Sequence, residues 1–122
     1  MSKVILVVDD SETIRHVVAS VLREHGFSVL EAEDGVDALS HCNGQKIHLV
    51  ISDLNMPNMD GIGFVREMKT RQGYRFTPVI ILTTENSAEK RAEGKSAGAA
   101  GWMVKPFDAA RVLSAVNKLI LA

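Results

Sequence analysis

Short apolar runs alternate along this chain with segments whose apolar residues recur at helical spacing. The runs are each a few residues long, as buried strands are, and the spaced segments predict amphipathic helices. Strands are predicted over residues 3–9, 27–32, 48–53, 78–82 and 101–104. Helices are predicted over residues 12–25, 36–43, 61–71, 86–97 and 108–121. Strands that alternate with helices are joined by right-handed crossovers, so the pattern indicates an α/β fold around a parallel sheet.

Four of the predicted helices have an apolar face that we expect to pack on the sheet. In chain order the inward residues are Ile14, Val17, Val18, Val21 and Leu22, then Val36 and Leu39, then Ile62, Val65 and Met68, and finally Val112, Leu113, Val116, Leu119 and Ile120. The helix over residues 86–97 differs, because its apolar residues are mostly alanine and Gly94 lies inside it. Little apolar area would be buried there, so we expect this helix to be the most mobile. Asn86 and Glu89 resemble a capping pair at its start.

Length and composition indicate one globular domain spanning residues 1–122. Of the 122 residues, 46% are hydrophobic and 24% are charged, which is ordinary for such a protein. The formal net charge of -1 gives no sign of nucleic-acid or membrane binding. Cys42 is the single cysteine, and the longest aliphatic run, Val4 to Val8, is too short for a signal peptide or a membrane span. We therefore expect a cytoplasmic protein.

Reactive side chains follow the predicted strands at the same end. The first strand ends in Asp9 and Asp10, the third in Asp53 and the fourth in Thr83, and the fifth is followed by Lys105. The carboxyl ends of parallel strands meet at one edge of the sheet, where open α/β folds bind their ligands. We therefore expect the functional site at this edge.

The three carboxylates indicate a metal site if the first and third strands are neighbours. Asp9, Asp10 and Asp53 would then lie within a few ångströms and repel one another unless a cation or a proton compensates. Oxygen ligands with open water positions suit Mg²⁺ better than Ca²⁺. The alternative is that Asp9 and Asp10 only cap the following helix, but a third Asp at another strand end favours the metal. The histidines show no ligand spacing and are interpreted as surface or helix residues: His16, His25, His41 and His48.

Lys105 could simply neutralise the acids, or it could take part in chemistry. The following Pro106 favours the second interpretation, because a cis Lys-Pro bond would redirect the chain and aim the ammonium inward. A lysine and Mg²⁺ beside one carboxylate would prepare it to receive an anion, so phosphoryl transfer to Asp53 fits the pattern. The Thr83 hydroxyl could donate to that group, or it could only cap its own strand.

Four separated motifs resemble those of the two-component response-regulator receiver domains. They are Val-Val-Asp-Asp-Ser at residues 7–11, Ser-Asp-Leu-Asn-Met-Pro-Asn-Met-Asp-Gly at 52–61, Leu-Thr-Thr-Glu at 82–85 and Gly-Ala-Ala-Gly-Trp-Met-Val-Lys-Pro-Phe at 98–107. Within that family the chain is most similar to the single-domain chemotaxis regulators of the CheY type. The resemblance implies a doubly wound, flavodoxin-like parallel sheet with strand order 2-1-3-4-5, flanked by five helices.

The resemblance also implies a role for each site residue. Asp53 would accept a phosphoryl group from the phosphohistidine of a histidine kinase. Asp10 and Asp53 would bind Mg²⁺ directly, together with the backbone carbonyl of Asn55, and Asp9 would act partly through water. The domain would catalyse its own phosphorylation and dephosphorylation but would otherwise be a signalling module rather than an enzyme.

Further residues would transmit or tune the signal. Lys105 would pair with the phosphoryl group, and Thr83 would move to hydrogen-bond it. Trp102 stands where the family usually has a Tyr or Phe whose rotamer reports on that movement, so whether the larger ring swings inward stays open. From the residues alone, Trp102 is interpreted as a packed aromatic. Asn55 and Glu85 flank the path of the hydrolytic water in the family, which implies a short-lived phosphoryl-aspartate.

The implied partners are a histidine kinase, a phosphatase and a target protein, which in chemotaxis is the flagellar motor switch. The target would bind a face formed by residues 86–97, 101–104 and 108–121, and the chain would act as a monomer. A phosphate sink or phosphorelay shuttle remains an alternative function. An aspartate-nucleophile phosphatase fits less well, because Asn55, two residues after Asp53, cannot serve as its acid.

Overall fold

The computed structural model describes residues 2–120 and contains the predicted strands and helices in the predicted order. The strands are β1 (Val4–Val8), β2 (Ser28–Ala32), β3 (Leu49–Ser52), β4 (Val79–Thr83) and β5 (Gly101–Val104). The helices are α1 (Glu12–Glu24), α2 (Gly35–His41), α3 (Gly61–Thr70), α4 (Ala88–Ala97) and α5 (Ala109–Ile120). Their ends lie within a few residues of the predicted ones. Leu121, which the pattern places in the last helix, lies outside the described residues.

All five strands form one parallel sheet in the order β2-β1-β3-β4-β5. This order confirms the doubly wound, flavodoxin-like fold. β1 and β3 are direct neighbours, with Val8 opposite Ser52 at the end of their register. The backbone N–H of Asp53 donates to the carbonyl of Val8 at 2.9 Å. The register therefore sets Asp9 and Asp53, one residue further along each strand, side by side at the carboxyl edge.

Helices cover both faces of the sheet and enclose two apolar cores. The residues of β1 alternate between these cores, with Ile5 and Val7 under α1 and α5 and with Leu6 and Val8 under α2 and α3. α4 adds only Ala97 to the second core. Because side chains alternate in direction along a strand, the central strands are apolar on both faces. In the described part of the chain, no helix is both long and apolar enough to cross a membrane.

Two of the predicted inward residues face solvent instead. Val17 is 47% exposed and Val36 is 54% exposed, so both predictions are wrong. On α1 the sheet side is occupied by Val18 and Leu22, and Val17 is rotated from Val18 by about 100° around the helix axis. α2 is short and turns Leu39 toward the core, which leaves Val36 outside in its first turn. The other predicted inward residues are buried or half-buried.

The start of α4 differs from the predicted capping pair. Ser87 is the N-cap, and its hydroxyl accepts a hydrogen bond at 3.2 Å from the backbone N–H three residues further on. The predicted Asn86–Glu89 pair is therefore wrong, and the Asn86 side chain accepts a hydrogen bond from Arg91 at 2.9 Å. Among the residues of α4, all of which are described, Gly94 alone is buried. α4 thus buries little apolar area, and its high mobility stays a prediction.

His48 lies outside the helices and is half-buried, which refines the interpretation of the histidines as surface or helix residues. It lies half-buried directly before β3, and its Nδ1 accepts a hydrogen bond from the backbone N–H of Val4 at 2.9 Å. This contact requires an unprotonated Nδ1. Burial lowers the pKa of His48, and the charges of Lys3 and Lys46 lower it further. The other three histidines lie in helices or at a helix end, as expected.

Acidification is expected to destabilise the fold through His48. The unfolded chain, in which this histidine has its ordinary pKa of 6.5, binds a proton at higher pH than the folded chain does. The contribution of unprotonated His48 to the stability of the fold is therefore fully present above about pH 6.5. It is lost as the pH falls from there through the lowered folded-state pKa.

Asparagine at position 48 supplies an acceptor that does not titrate. Between about pH 8 and about pH 5, the free energy of unfolding of wild type should fall relative to that of His48→Asn, by up to about 1 kcal/mol, the size of one hydrogen bond. Urea unfolding at each pH measures this difference. His41→Asn is the control and should keep the pH dependence of wild type. The same pH dependence in wild type and His48→Asn would contradict the assignment.

Candidate functional site

The carboxyl edge of the sheet brings three aspartates together. Asp9 and Asp10 follow β1, Asp53 follows β3, and one carboxylate oxygen of each lies within 4.8 Å of the others. Asp9 and Asp53 are 4% and 8% exposed, whereas Asp10 is exposed. The predicted convergence is thus confirmed. Carboxylates this close repel one another, so the site needs positive charge.

Lys105 supplies part of that charge. Its Nζ donates to Asp9 Oδ2 at 2.9 Å and to Asp53 Oδ2 at 3.0 Å. Lys105 follows β5, and its bond to Pro106 is cis, the conformation considered from the sequence. Burial lowers the pKa of Lys105, but the hydrogen bonds to the two carboxylates and their negative charges together outweigh burial, and the pKa is raised overall. The ammonium is therefore held charged between two buried acids.

Asp9 is held from several sides. The backbone N–H of Ser11 donates to its Oδ1 at 2.9 Å, and Arg15 donates from Nη1 to its carbonyl oxygen at 2.8 Å. Burial raises the pKa of Asp9, and the hydrogen bonds from Lys105 and Ser11 offset only part of this effect. Sequence reasoning missed Arg15, because its contact with the Asp9 carbonyl arises only when α1 packs back along the sheet.

The backbone around Asp53 leaves no room for a side chain at the start of α3. Asp53 Oδ1 accepts a hydrogen bond from the N–H of Leu54 at 2.7 Å, and the N–H of Gly61 donates to the carbonyl of Leu54 at 2.8 Å. A Cβ added at Gly61 would overlap the carbonyl oxygen of Asp53. Gly61 is therefore a site residue that sequence reasoning missed. Its only signal is a glycine where the first turn of a helix begins.

The loop between Asp53 and α3 is tied to the start of α2. Asn58 has a positive φ of 68°, and its Nδ2 donates to Asp34 Oδ2 at 2.8 Å. The backbone N–H of Gly35 donates to the carbonyl of Met59 at 3.2 Å. Both contacts lie near the α3 end of the loop, and Asn55 lies exposed within the same loop. Asn58 and Asp34 were also missed, because they are far apart in the sequence.

Thr83, Glu85 and Trp102 are connected to one another at the ends of β4 and β5. Thr83 is fully buried, and its Oγ1 accepts a hydrogen bond from the backbone N–H of Glu85 at 3.3 Å. The indole Nε1 of Trp102 donates to the carbonyl of Glu85 at 3.1 Å. The ring is half-buried and packs on the core beneath α2 and α3, which agrees with its interpretation as a packed aromatic. Val104 lies on the same side of β5 and is 36% exposed.

The donor set of the acidic cluster fits a hard divalent cation. Three carboxylates each offer an oxygen within 4.8 Å of the others. Among the described residues, the Lys105 ammonium forms salt bridges with Asp9 and Asp53 but not with Asp10, so the two salt bridges leave one carboxylate of the cluster without a cation partner. Oxygen donors of this kind, with space left for water, are the surroundings that Mg²⁺ prefers. Asp9, Asp10 and Asp53 can therefore hold a metal ion.

Comparisons with known proteins agree with this geometry. The response regulator receiver domain family matches residues 5–117. Chemotaxis protein CheY-3 of Vibrio cholerae is 36% identical over 116 residues, which cover 94% of this chain and 89% of that protein. The structure of chemotaxis protein CheY4 of Vibrio cholerae has a TM-score of 0.93 at 41% identity and covers 98% of this chain and 99% of its own.

A second solved structure bears on the acidic cluster. It is the receiver domain of a sensor histidine kinase from Pseudomonas aeruginosa, with a TM-score of 0.92, 26% identity and 100% of both chains covered. That protein has a magnesium ion coordinated in its active-site cleft.

Gly61→Ala is expected to destabilise the protein, because the added Cβ would overlap the Asp53 carbonyl oxygen and force the loop to move. Overpacking of this kind costs about 1–3 kcal/mol, although alanine is otherwise favoured over glycine in helices. Urea unfolding measures the free energy. Gly63→Ala is the matched control in the same helical turn, since its Cβ would meet its nearest neighbour, Asp60 Oδ1, at 3.2 Å. An equal cost in both variants would contradict the assigned contact.

Proposed function

We propose that this chain, which belongs to the response regulator receiver domain family, is a switch activated by phosphorylation of Asp53. As a receiver domain it is a signalling module of two-component systems. The observation that carries the proposal is the Lys105 ammonium, which lies 3.0 Å from Asp53 and 2.9 Å from Asp9. A carboxylate in that setting can receive an anionic group, because its positive neighbours offset the added charge.

In the proposed reaction, Asp53 accepts the phosphoryl group of a phosphohistidine on a histidine kinase. A carboxylate oxygen of Asp53 forms a bond to phosphorus while the bond from phosphorus to the imidazole nitrogen breaks. The imidazole leaves with the electron pair of that bond and takes a proton from solvent. Lys105, which donates to the carboxylate before the transfer, stays beside the phosphoryl oxygens and offsets their charge.

We propose Mg²⁺ as the cofactor, held directly by Asp10, Asp53 and the backbone carbonyl of Asn55 and partly through water by Asp9. When bound, it supplies the positive charge that offsets the acids and the transferred group. The oxygen donor set of the cluster supports this assignment. The magnesium ion in the Pseudomonas aeruginosa receiver domain supports it further.

Thr83 would convert the new charge into a change of shape. Phosphorylation adds about two negative charges, and the Thr83 hydroxyl, which accepts a hydrogen bond from the N–H of Glu85 in the structure, would turn to donate to a phosphoryl oxygen. The loop that carries Glu85, α4 and the strand that carries Trp102 would follow. Shifting a two-state equilibrium from mostly inactive to mostly active takes roughly 5 kcal/mol. A few charge-assisted hydrogen bonds of about 1.5–3 kcal/mol each can supply that.

Asn55 and Glu85 are proposed to tune the loss of the phosphoryl group. Asn55 follows Asp53 by two residues, Glu85 follows Thr83 by two residues, and neither side chain is buried. Placed at the mouth of the site, they would flank the water that attacks phosphorus. The domain would in this sense catalyse its own dephosphorylation.

The target protein is proposed to bind the face formed by residues 86–97, 101–104 and 108–121, of which residue 121 lies outside the described residues. Trp102 and Met103 form the floor of shallow clefts on this face. An apolar floor with a cationic rim suits an acidic segment of a partner. Because the Vibrio cholerae relatives are chemotaxis proteins, we propose the flagellar motor switch as that partner. The rim is formed by Arg91, Lys95, Arg111 and Lys118.

Asp53→Asn is expected to abolish incorporation of phosphate from radiolabelled acetyl phosphate, because the amide cannot form the acyl phosphate. Incorporation is measured in the presence of Mg²⁺ after the protein is separated from free label. Glu33→Gln, which also removes one negative charge, is exposed and serves as the matched control that should label like wild type. Label retained by Asp53→Asn would make another residue the acceptor and overturn the proposal.

Asp10→Asn is expected to weaken Mg²⁺ binding about tenfold, which corresponds to ~1.4 kcal/mol, because one of three carboxylate donors loses its charge. Asp10 is exposed and lies outside the Lys105 pairs, so the fold should be unaffected. Calorimetric titration gives the affinity. Glu12→Gln is the control, because it also removes one negative charge, two residues away in the first turn of α1. Equal weakening in both variants would show a long-range charge effect and contradict Asp10 as a ligand.

A further inference from the structure

Gly94 is buried in the middle of α4, where glycine weakens a helix relative to alanine. A Cβ added at Gly94 would lie 2.8 Å from Cζ3 and 3.2 Å from Cε3 of Trp102. Both distances are well inside the ~3.5–4.0 Å at which carbon atoms pack. The absent side chain of Gly94 therefore provides the space that the six-membered ring of the indole fills.

The other end of the indole holds the loop before α4. Nε1 of Trp102 donates to the carbonyl of Glu85 at 3.1 Å, and the N–H of Glu85 donates to Thr83 Oγ1 at 3.3 Å. Thr83 is fully buried at the end of β4, the strand next to β3, and Asp53 directly follows β3. A continuous set of contacts therefore leads from Thr83 through Glu85 and Trp102 to Gly94.

We infer that Gly94 and Trp102 are a matched pair, in which the absent side chain of one makes room for the large ring of the other. Trp102 is thereby held packed, with its N–H on the loop and its ring on the helix. The loop, the ring and α4 shift together while the ring stays packed between them, and Gly94 is a positioning residue for that movement. This inference rests on the proposed function, since the contact with Thr83 carries a signal only if Asp53 is phosphorylated.

Because α4 is weakly packed, the contact between Gly94 and Trp102 strongly affects the position of the helix. Gly94 is the one buried residue among those of the helix, all of which are described, so α4 has few buried contacts besides the one with Trp102. Any side chain at position 94 must either lift the helix or push the indole outward. A displacement of about half an ångström takes the Nε1–carbonyl contact to about 3.6 Å, which is no longer a hydrogen bond. A change at Gly94 would therefore reach the Glu85 loop without touching Asp53.

The test is Gly94→Ala, alone and combined with Trp102→Phe, whose smaller single ring lacks the indole carbons Cζ3 and Cε3 that meet position 94. In the wild-type background Gly94→Ala should lower the urea midpoint of unfolding, although the same change normally strengthens a helix. In the Trp102→Phe background it should raise the midpoint. Ser20→Ala, at an exposed position of α1, is the helix-propensity control. It should change the urea midpoint in the same direction in both backgrounds. Additive effects of Gly94→Ala and Trp102→Phe would overturn the inference.

A functional measurement separates positioning from stability alone. The lifetime of phosphoryl-Asp53 should shorten about fivefold, as for the loss of one hydrogen bond, in Gly94→Ala, in Trp102→Phe and in the double variant alike. The effects should not add, because each variant breaks the same contact with Glu85. A wild-type lifetime in Gly94→Ala would overturn the inference.

Fluorescence tests whether the ring stays packed against the loop and α4, since Trp102 is the single tryptophan. Quenching of wild type by acrylamide should be the same with and without Mg²⁺ and beryllofluoride, and a several-fold change would overturn the inference. If Gly94→Ala does not fold, a folded Gly94→Ala/Trp102→Phe variant supports the pair and an unfolded one overturns it. A wild-type protein that takes no label from acetyl phosphate would overturn the proposed function instead, while the unfolding measurements would still test the pair.

Discussion

The site depends on one lysine that is shared between two buried aspartates. Lys105, Asp9 and Asp53 follow β5, β1 and β3, so their charges meet only when the sheet has its observed order. A buried charge without a partner destabilises the folded state. Removing one of these three residues would therefore leave buried charge uncompensated. Asp10 adds a further negative charge at the rim, so the ammonium leaves the cluster short of positive charge. That shortage is what makes the edge of the sheet receptive to a cation and, through it, to an anionic group.

Backbone contacts hold this charge balance in one geometry. The start of α3 lies against the carbonyl of Asp53 at Gly61, and the loop between them is clamped to α2 by Asn58 and Asp34. On the other side of the site the restraint is weaker. Hydrogen bonds connect Thr83 to the backbone of Glu85 and the carbonyl of Glu85 to the indole of Trp102, which packs on α4. The acceptor side of the site is therefore held by backbone contacts on two elements, and the side toward the proposed target face includes α4, which buries little apolar area, an arrangement that suits a switch.

The fold and the charged residues of the site could be predicted because their signals are local. Each strand is a short apolar run, and Asp9, Asp53 and Thr83 directly follow such runs, so parallel pairing alone gathers them at one edge. Lys105 followed by Pro106 gave the same kind of local signal. The strand order itself came from the resemblance of the motifs, because periodicity does not say which strands are neighbours.

The features that could not be predicted depend on contacts between distant segments. Val17 and Val36 fit an apolar helix face by spacing, but the position of each helix on the sheet decides which side is covered. In the sequence, Gly61 and Gly94 do not differ from other glycines. Only the structure shows that Gly61 lies against the Asp53 carbonyl and Gly94 against the Trp102 ring. Spacing along the chain carries no information about such close approaches.

The central claim is that Asp53, and no other residue, carries the transient covalent charge. Treating the protein with acetyl phosphate and Mg²⁺, reducing it with borohydride and mapping the peptides by mass spectrometry tests this claim most directly. An aspartyl phosphate is reduced to homoserine, so the account predicts homoserine at position 53 alone. Homoserine at Asp9 or Asp10, or an unmodified residue 53 in protein that has taken up phosphate, would contradict it.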